Sequence, residues 1–364
     1  MKDITQYKPK SILVIQQRQL GDVVVTTPVF AHIKKKFPDT KLTFLTEAKC
    51  LPLVQFDPYL DEIICFEKKQ NFFEQIAFYW SLHKKDFDVV LDLQQLPRCQ
   101  MATLFSGAKY KLTFNPRHAY RKFLYTHFDA PENTEEYTSF SKCRMLNPLS
   151  VVAQEMKPKI YLLEDERKKA QEILSSLGFN ETKKFITLDA THKHPKRRWK
   201  YYAILVKKIL ELYPDFSFFV LRAPGEEDQV QYLLEIDKER IVMPKNPLSL
   251  RETMACMEKA SFHIGNTSAP EHIALALNIP ALIILSETAS FWHYNPKNPL
   301  KGEAKQIEVR LDDSIYQKYI KEKQAYENGE NSSFKEIEFP LINLISVENA
   351  LEKFINLVQS PYYL

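Results

Sequence analysis

The stretch SILVIQQRQLGDVVVTTP, residues 11–28, decides the reading of the fold. Its apolar run at 12–15 (ILVI) reads as a parallel strand buried on both faces. The polar loop at 16–21 then falls at the carboxyl end of that strand, where open α/β sheets hold their ligands. A helix-like run starts at Asp22, so Asp22 is expected at the mouth of a site and at the start of a helix. The ordinary alternative for an Asp there is an N-cap that accepts backbone N–H groups. Only 7 of the 364 residues are glycine, so Gly21 is not filler. It implies a backbone constraint, either positive φ or the close approach of a ligand.

Outward from this stretch the same alternation continues. Val23, Val24, Thr27, Phe30, Ala31 and Ile33 form a helical apolar face that ends in Lys34, Lys35 and Lys36, cations suited to a helix C-terminus. Strands are expected at 41–46 (KLTFLT), 62–66 (EIICF) and 87–93 (FDVVLDL), with helices near 50–56 and 72–83. This spacing implies βαβ units and a parallel sheet. Gln94, Gln95, Pro97 and Arg98 follow the 87–93 strand at its carboxyl end and are candidates by position. Residues 115–128 (NPRHAYRKFLYTHF) interleave Arg117, His118, Arg121 and Lys122 with aromatic residues. An amphipathic surface segment is the ordinary reading. A basic, aromatic patch facing an anionic acceptor or membrane surface is the functional one.

The alternation pauses at 150–161, where Pro158 excludes a helix. The expected domains are 1–157 and 158–345, with a final helix at 346–364. In the second half a helix at 164–177 is closed by Gly178 as its C′ residue. Strands follow at 185–188, 216–221, 240–243, 261–265 and 281–285, with helices at 201–212, 226–236, 249–257 and 269–277. Residues 312–330 read as a polar helix-and-loop insertion. Residues 346–358 read as an amphipathic helix that packs through Val347, Ala350, Leu351 and Phe354. The run Gly265-Asn266-Thr267-Ser268-Ala269-Pro270 joins a strand to a helix, so hydroxyls and free helix N–H groups converge on a potential anion site. Its ordinary reading is an N-cap with Pro in the first turn. Two such loops, one in each half, suggest a cleft between two doubly wound domains.

Composition sets the outer limits. A hydrophobic content of 45% with 26% charged residues is that of a soluble globular protein. The formal charge of +4 is too weak to argue for nucleic acid, and none is expected as a partner. It would suit an anionic substrate or membrane surface. Five cysteines (50, 65, 99, 143 and 256) are scattered and form no CxxC pair, which argues against a disulfide framework or structural zinc. The nine histidines show no metal spacing, so no metal or other cofactor is expected. The N-terminus lacks the apolar core of a signal peptide, and the apolar run at 274–285 is too short to span a bilayer. A cytoplasmic setting is the expectation.

Two motifs carry a more specific resemblance. RQLGDVVVTTPVFAHIKKKFPDTKLTFLT resembles the opening of the ADP-heptose:lipopolysaccharide heptosyltransferases, with its Leu-Gly-Asp, Thr-Thr-Pro, helix, Pro and strand. FHIGNTSAPEHIALALNIPALIIL resembles their second motif, a Gly-Asn-Asp-Ser-Gly-Pro-x-His loop leading into an Ala-rich helix and an apolar strand. The resemblance implies a GT-B fold, two Rossmann-like doubly wound α/β domains facing across a cleft. It also implies inverting, metal-independent transfer of heptose from ADP-heptose to a lipopolysaccharide inner-core acceptor. The N-terminal domain would take the acceptor and the C-terminal domain the nucleotide sugar, with peripheral contact at the cytoplasmic face of the inner membrane.

By motif position Asp22 matches the general base. Ser268 and its loop, with Thr267 and Ala269, match the diphosphate contacts, and His272 matches the motif histidine. Arg197, Arg198 and Trp199 match a Lys-Arg-Trp element, with Lys196 adjacent, and Glu226 matches an acid near the ribose or sugar. Thr191 joins the donor candidates. Arg18, Gln19, Gly21, Arg98, Arg117 and Arg121 are the acceptor-side candidates. This sequence departs from the pattern with Thr267 for the motif Asp, Ala269 for the motif Gly and Arg197 for the motif Lys, while Ser286-Glu287-Thr288 stands for a Gly-Pro-Thr. A transferase with another nucleotide-sugar donor and a catalytically degenerate sugar-nucleotide-binding protein are the alternatives. A nicotinamide oxidoreductase would want GxGxxG after the first strand, and residues 17–22 hold one glycine.

Overall fold

The computed structural model describes residues 3–66, 71–116, 119–129, 137–152, 154, 156–179, 184–285, 306–327 and 341–360. The chain divides into two compact units, one running to Leu163 and the other starting at Glu164.

In the first unit β1 (Ser11–Ile15) leads into α1 (Leu20–Val24) and α2 (Thr27–Lys36). Then come β2 (Lys41–Glu47), α3 (Leu51–Val54), β3 (Glu62–Phe66) and α4 (Phe72–His83). They are followed by β4 (Val89–Asp92), α5 (Pro97–Phe105), β5 (Tyr110–Phe114), a 3₁₀ helix (Ala119–Leu124), β6 (His127–Asp129) and α6 (Thr138–Arg144). The six strands pair in parallel in the order β3-β2-β1-β4-β5-β6. The winding reverses between β1 and β4, the topological switch point where such sheets bind ligands. Residues 12–15 are fully buried, which is why β1 reads as an unbroken apolar run. On one face of the sheet α4 and α5 bury Tyr79, Leu82, Cys99 and Ala102 against Leu13, Ile15 and Val90.

The second unit opens with α7 (Glu164–Ser176) and β7 (Lys184–Asp189). A 3₁₀ turn (Pro195–Arg197), α8 (Tyr202–Leu212), β8 (Phe216–Val220), α9 (Glu227–Leu234) and β9 (Ile241–Val242) follow. Then come α10 (Leu250–Glu258), β10 (Phe262–Asn266), α11 (Ala269–Ala276), β11 (Ala281–Leu285), β12 (Gln306–Arg310), α12 (Asp313–Glu327) and α13 (Val347–Val358). The parallel order β9-β8-β7-β10-β11-β12 repeats the winding of the first unit, with its switch point between β7 and β10. Helix α13 lays Val347, Ala350, Phe354 and Leu357 into the same core as Trp199, Tyr202 and Phe216. Gly178 has φ +83° just beyond α7, the left-handed C′ geometry expected of it. Helix α7 is tied to α10 by Arg167–Glu258 at 2.8 Å, Lys169–Glu252 at 2.6 Å and an Arg251–Glu166 pair.

Several expectations change. Helix α1 starts at Leu20 rather than Asp22, and the continuous helix expected after it is broken at Val25–Thr26 before Pro28 sets the first turn of α2. Gly21 lies inside α1, so positive φ is not its constraint. Within the segment read as an amphipathic surface stretch at 115–128, the described residues form the 3₁₀ helix, with Tyr120 and Phe123 exposed, and the start of the edge strand β6. Strands β5, β6 and β12 were not expected. Among the described residues no helix is long and apolar enough to cross a membrane.

Candidate active site

In the first unit Ile15 pairs with Asp92, so the loops after β1 and β4 leave the sheet side by side. Asp22 is the third residue of α1, where its carboxylate reaches back to the start of the helix. Its Oδ2 accepts the backbone N–H of Gln19 at 2.9 Å, the reciprocal half of a capping box. Asp22 is therefore not the N-cap; Gln19 is. The same Oδ2 faces the side-chain amide of Gln94 at 3.5 Å. Asp22 Oδ1 accepts no hydrogen bond from the described residues, and the side chain is half-buried.

Gln94 closes the loop from the β4 side. Its Oε1 accepts the Arg18 N–H at 3.0 Å and its Nε2 donates to the Arg18 carbonyl. Gln94 is in turn positioned by Asp92, a fully buried carboxylate at the end of β4. Asp92 Oδ1 accepts the backbone N–H groups of Gln94 (3.0 Å) and Gln95 (2.8 Å), and Oδ2 accepts the Tyr125 hydroxyl at 2.7 Å. Burial pushes the Asp92 carboxyl up, against those donors. Gln95 sits at φ +53°, an uncommon left-handed conformation for a non-glycine residue. Its side chain is pinned there by bonds to Thr113 Oγ1 (3.0 Å) and the Phe114 carbonyl (2.7 Å). Buried Lys142 of α6 donates to Gln16 Oε1 at 2.6 Å, and Gln16 Nε2 donates to the Arg18 carbonyl at 2.8 Å.

The fold thus brings Asp22, Arg18, Gln19 and Gly21 together, with Arg18 and Gln19 exposed. Arg98 is engaged differently. Its guanidinium lies 4.8 Å above the Phe66 ring and bonds Tyr79, which ties it to the α4–α5 core. Arg121 lies over its neighbour Tyr120, with Nε 3.2 Å from the Tyr120 hydroxyl. Arg117 and residues 286–288 lie outside the described residues.

In the second unit the switch point is organised by Asp189, at the end of β7. It is 3% exposed, and burial raises its carboxyl to about 6. Its Oδ1 accepts the N–H and hydroxyl of Thr191 at 3.2 and 3.0 Å, and its Oδ2 accepts the Ser268 hydroxyl at 2.5 Å. Ser268 occupies the N-cap of α11 but its side chain makes no capping bond, because Asp189 takes the hydroxyl. The first N–H groups of α11 are thereby left without a side-chain cap from Ser268, the condition under which a helix N-terminus takes an anion. Asn266 crosses the switch point, donating to the Thr191 carbonyl at 3.1 Å and accepting the Tyr202 hydroxyl at 3.0 Å.

Gly265 has a packing reason rather than a ligand one. A Cβ there would come within 2.9 Å of His263 Nε2 and 3.1 Å of Asp189 Cβ. Lys196 and Arg197 stand exposed on the 3₁₀ turn after β7. His192, on the same loop, bonds the Thr267 backbone; burial and then the Arg197 charge hold its imidazole below the usual range. Glu226 caps the turn at Ala223 through a 3.0 Å bond and adds negative charge beside Asp189. His272 is buried in α11, and Trp199 anchors the 195–199 turn through its Nε1 bond to the Ile345 carbonyl at 3.0 Å. Position alone singled out Gln94; Asp92, Asp189, Gln16 and Lys142 were missed. Strand ends carrying Asp were the one available signal, since the bonds that tie these side chains across the fold, Tyr125 to Asp92, Ser268 to Asp189 and Lys142 to Gln16, span 33, 79 and 126 residues of sequence.

The sequence profile of glycosyltransferase family 9 (heptosyltransferase) matches residues 76–324. The chain belongs to that family. It is 23% identical over 304 residues to lipopolysaccharide heptosyltransferase 1 of Campylobacter coli, covering 77% of this chain and 85% of that one. The family 9 glycosyl transferase structure from Veillonella parvula superposes with a TM-score of 0.76 at 21% identity, covering 96% of this chain and 98% of the other. The Escherichia coli heptosyltransferase WaaC with ADP gives 0.65 at 16% identity, over 86% and 99%. The structural likenesses establish the fold, two Rossmann-like parallel α/β units of the GT-B heptosyltransferase type. As a family 9 member the protein is a glycosyltransferase.

Proposed function

We propose that this glycosyltransferase moves heptose from ADP-heptose to the inner core of a lipopolysaccharide acceptor, with inversion and without a metal. The observation that carries the reading is Asp22: a carboxylate at a switch point, held by one oxygen and with the other unengaged among the described residues. In the proposed step an acceptor hydroxyl loses its proton to Asp22 Oδ1 as its oxygen bonds the anomeric carbon. The bond from that carbon to the diphosphate breaks, and ADP leaves with the electron pair. A single displacement of this kind inverts the anomeric centre. Arg18, Gln19 and the backbone at Gly21 are proposed to orient the acceptor, with Arg98, Arg117 and Arg121 contributing charge on the acceptor side.

The departing diphosphate is proposed to sit at the start of α11, met by the backbone N–H groups at Thr267, Ser268 and Ala269, with the Ser268 hydroxyl turned to Asp189 so that the helix start stays open. Lys196 and Arg197 neutralise its charge. Thr191 and His272 support this loop, and Glu226 is proposed to meet the ribose or sugar hydroxyls. The protein is proposed to work in the cytoplasm at the inner-membrane surface, where a lipid-linked acceptor resides.

The test is ADP release from ADP-heptose in EDTA, with and without a heptose-deficient core acceptor. Acceptor-dependent release is expected. ADP binding without release would move the proposal to a second reading, a family transferase using another nucleotide sugar. Thr267 and Ala269 favour that reading, standing where the family motif has Asp and Gly.

A further inference from the structure

Sixteen large hydrophobic residues are exposed among the described residues, and eight of them lie on three neighbouring elements of the first unit. Helix α4 exposes Phe72 (70%), Phe73 (80%), Ile76 and Trp80 (54%). Their spacing at i, i+1, i+4 and i+8 puts them on one side of the helix, opposite the side that buries Leu82. Helix α5 packs beside α4, with Phe105 stacked on Tyr79 at 5.5 Å, and exposes Met101 and Leu104 on its outer side. The 3₁₀ helix packs next to α5 and exposes Tyr120 (63%) and Phe123 (85%). An exposed apolar surface this concentrated is unusual on a soluble protein and marks a docking face.

The chemistry around the face selects the occupant. Lys84 stands one turn beyond Trp80 on the same side of α4, and Arg121 and Lys122 are interleaved between Tyr120 and Phe123. Protein–protein interface cores exclude lysine, whereas the headgroup layer of a bilayer takes aromatic rings and the cations beside them together. The acid on α4, Glu74, is committed to the helix cap, where its carboxylate accepts the Asn71 N–H at 2.8 Å. We infer that the outer face of α4, α5 and the 3₁₀ helix docks on an anionic lipid bilayer. Phe72, Phe73, Ile76, Trp80 and Phe123 enter the headgroup–acyl boundary while Lys84 and Lys122 meet lipid phosphates. For its purpose the inference rests on the lipid-linked acceptor proposed above. Vesicle binding and transfer are measured separately, so either can fail alone.

The experiment is co-sedimentation of the full chain with vesicles of phosphatidylcholine alone or with one third phosphatidylglycerol. The expected result is binding to the anionic vesicles, weaker binding to the neutral ones, and loss at high salt. The combined variant Phe73→Ser, Ile76→Ser and Trp80→Ser removes only exposed side chains. It should keep the wild-type melting temperature and ADP release with a lipid-free core oligosaccharide, while losing about tenfold or more in vesicle partition. Lys84→Glu with Lys122→Glu should abolish the preference for anionic lipid. Wild-type protein that sediments with neither vesicle, or a triple variant that binds as wild type, would overturn the inference. So would a wild-type dimer, by sedimentation velocity, that the triple variant converts to monomer without any vesicle binding; the face would then belong to a second copy.

Discussion

The two oxygens of Asp22 stand in different surroundings, and the proposed base role falls to only one of them. Oδ2 closes the capping box at Gln19 and meets Gln94, and Oδ1 is the oxygen proposed to take the proton. Asp22→Asn keeps an oxygen for the cap but cannot take a proton, so turnover should fall about 10²–10⁴-fold. ADP affinity and melting temperature should stay near wild type. Wild-type turnover in this variant would remove Asp22 from the mechanism. Asp189 gives a different signature. Its carboxyl is raised from 3.8 to about 6 by burial, so between those values the native state holds a proton that the unfolded chain has released. The contribution of Asp189 to stability therefore falls as pH rises through 4 to 6, by about 2–3 kcal/mol in all, and is flat above. Asp189→Asn does not titrate. Its stability relative to wild type should rise across that window, measured by denaturant unfolding at pH 4.5, 6 and 7.5, and a pH-independent difference would contradict the assignment.

At the scale of elements, the apolar strands were legible, the edge strands β3 and β9 among them, whereas β5 and the edge strands β6 and β12 were not. Strands β1, β4, β8 and β11 are apolar because both faces of a parallel sheet are covered. Strands β5 (YKLTF) and β12 (QIEVR) alternate polar and apolar residues, and β6 (HFD) is too short to show any period. The site followed the same division. The loops holding Asp22 and Ser268 could be read locally because each joins a strand to a helix. Asp92 and Asp189 look like ordinary polar strand ends until a residue 33 or 79 positions away donates to them. Gly265, read from the sequence only as part of an anion-binding loop, is required by packing. It allows β7 and β10 to approach, and Thr187 fixes the obstructing His263 ring at 3.0 Å. Gly265→Ala should cost about 1–3 kcal/mol by thermal or denaturant unfolding; an unchanged protein would show that the ring can move aside. On the turn after β7, Lys196→Ala with Arg197→Ala should weaken ADP by about tenfold or more, given about 1.5–3 kcal/mol for a hydrogen bond to a charged group. Added salt should narrow the gap to wild type. Equal ADP affinity at low salt would count against a phosphate role for this turn.

At the scale of the whole molecule, one winding occurs twice, and the two switch points carry opposite chemistry. The first presents a carboxylate at the start of α1. The second withdraws its carboxylate into the sheet, where Ser268 and Thr191 cover it, and leaves cations and helix N–H groups toward solvent. A diphosphate should therefore bind the second unit and not the first. Hydrogen exchange with mass spectrometry tests this on the intact chain, because a ligand at 100 times its Kd stabilises the state it binds by about 2.7 kcal/mol. ADP should slow exchange at 189–197 and 266–276, while residues 16–25 and 92–105 exchange as in the free protein. Asp22→Asn should show the same pattern, and Lys196→Ala with Arg197→Ala should lose it at equal ADP. Protection centred on 16–25 would reverse the assignment of donor and acceptor to the two units. Protection in neither unit at saturating ADP would show that Thr267 and Ala269 have moved the site to a different nucleotide.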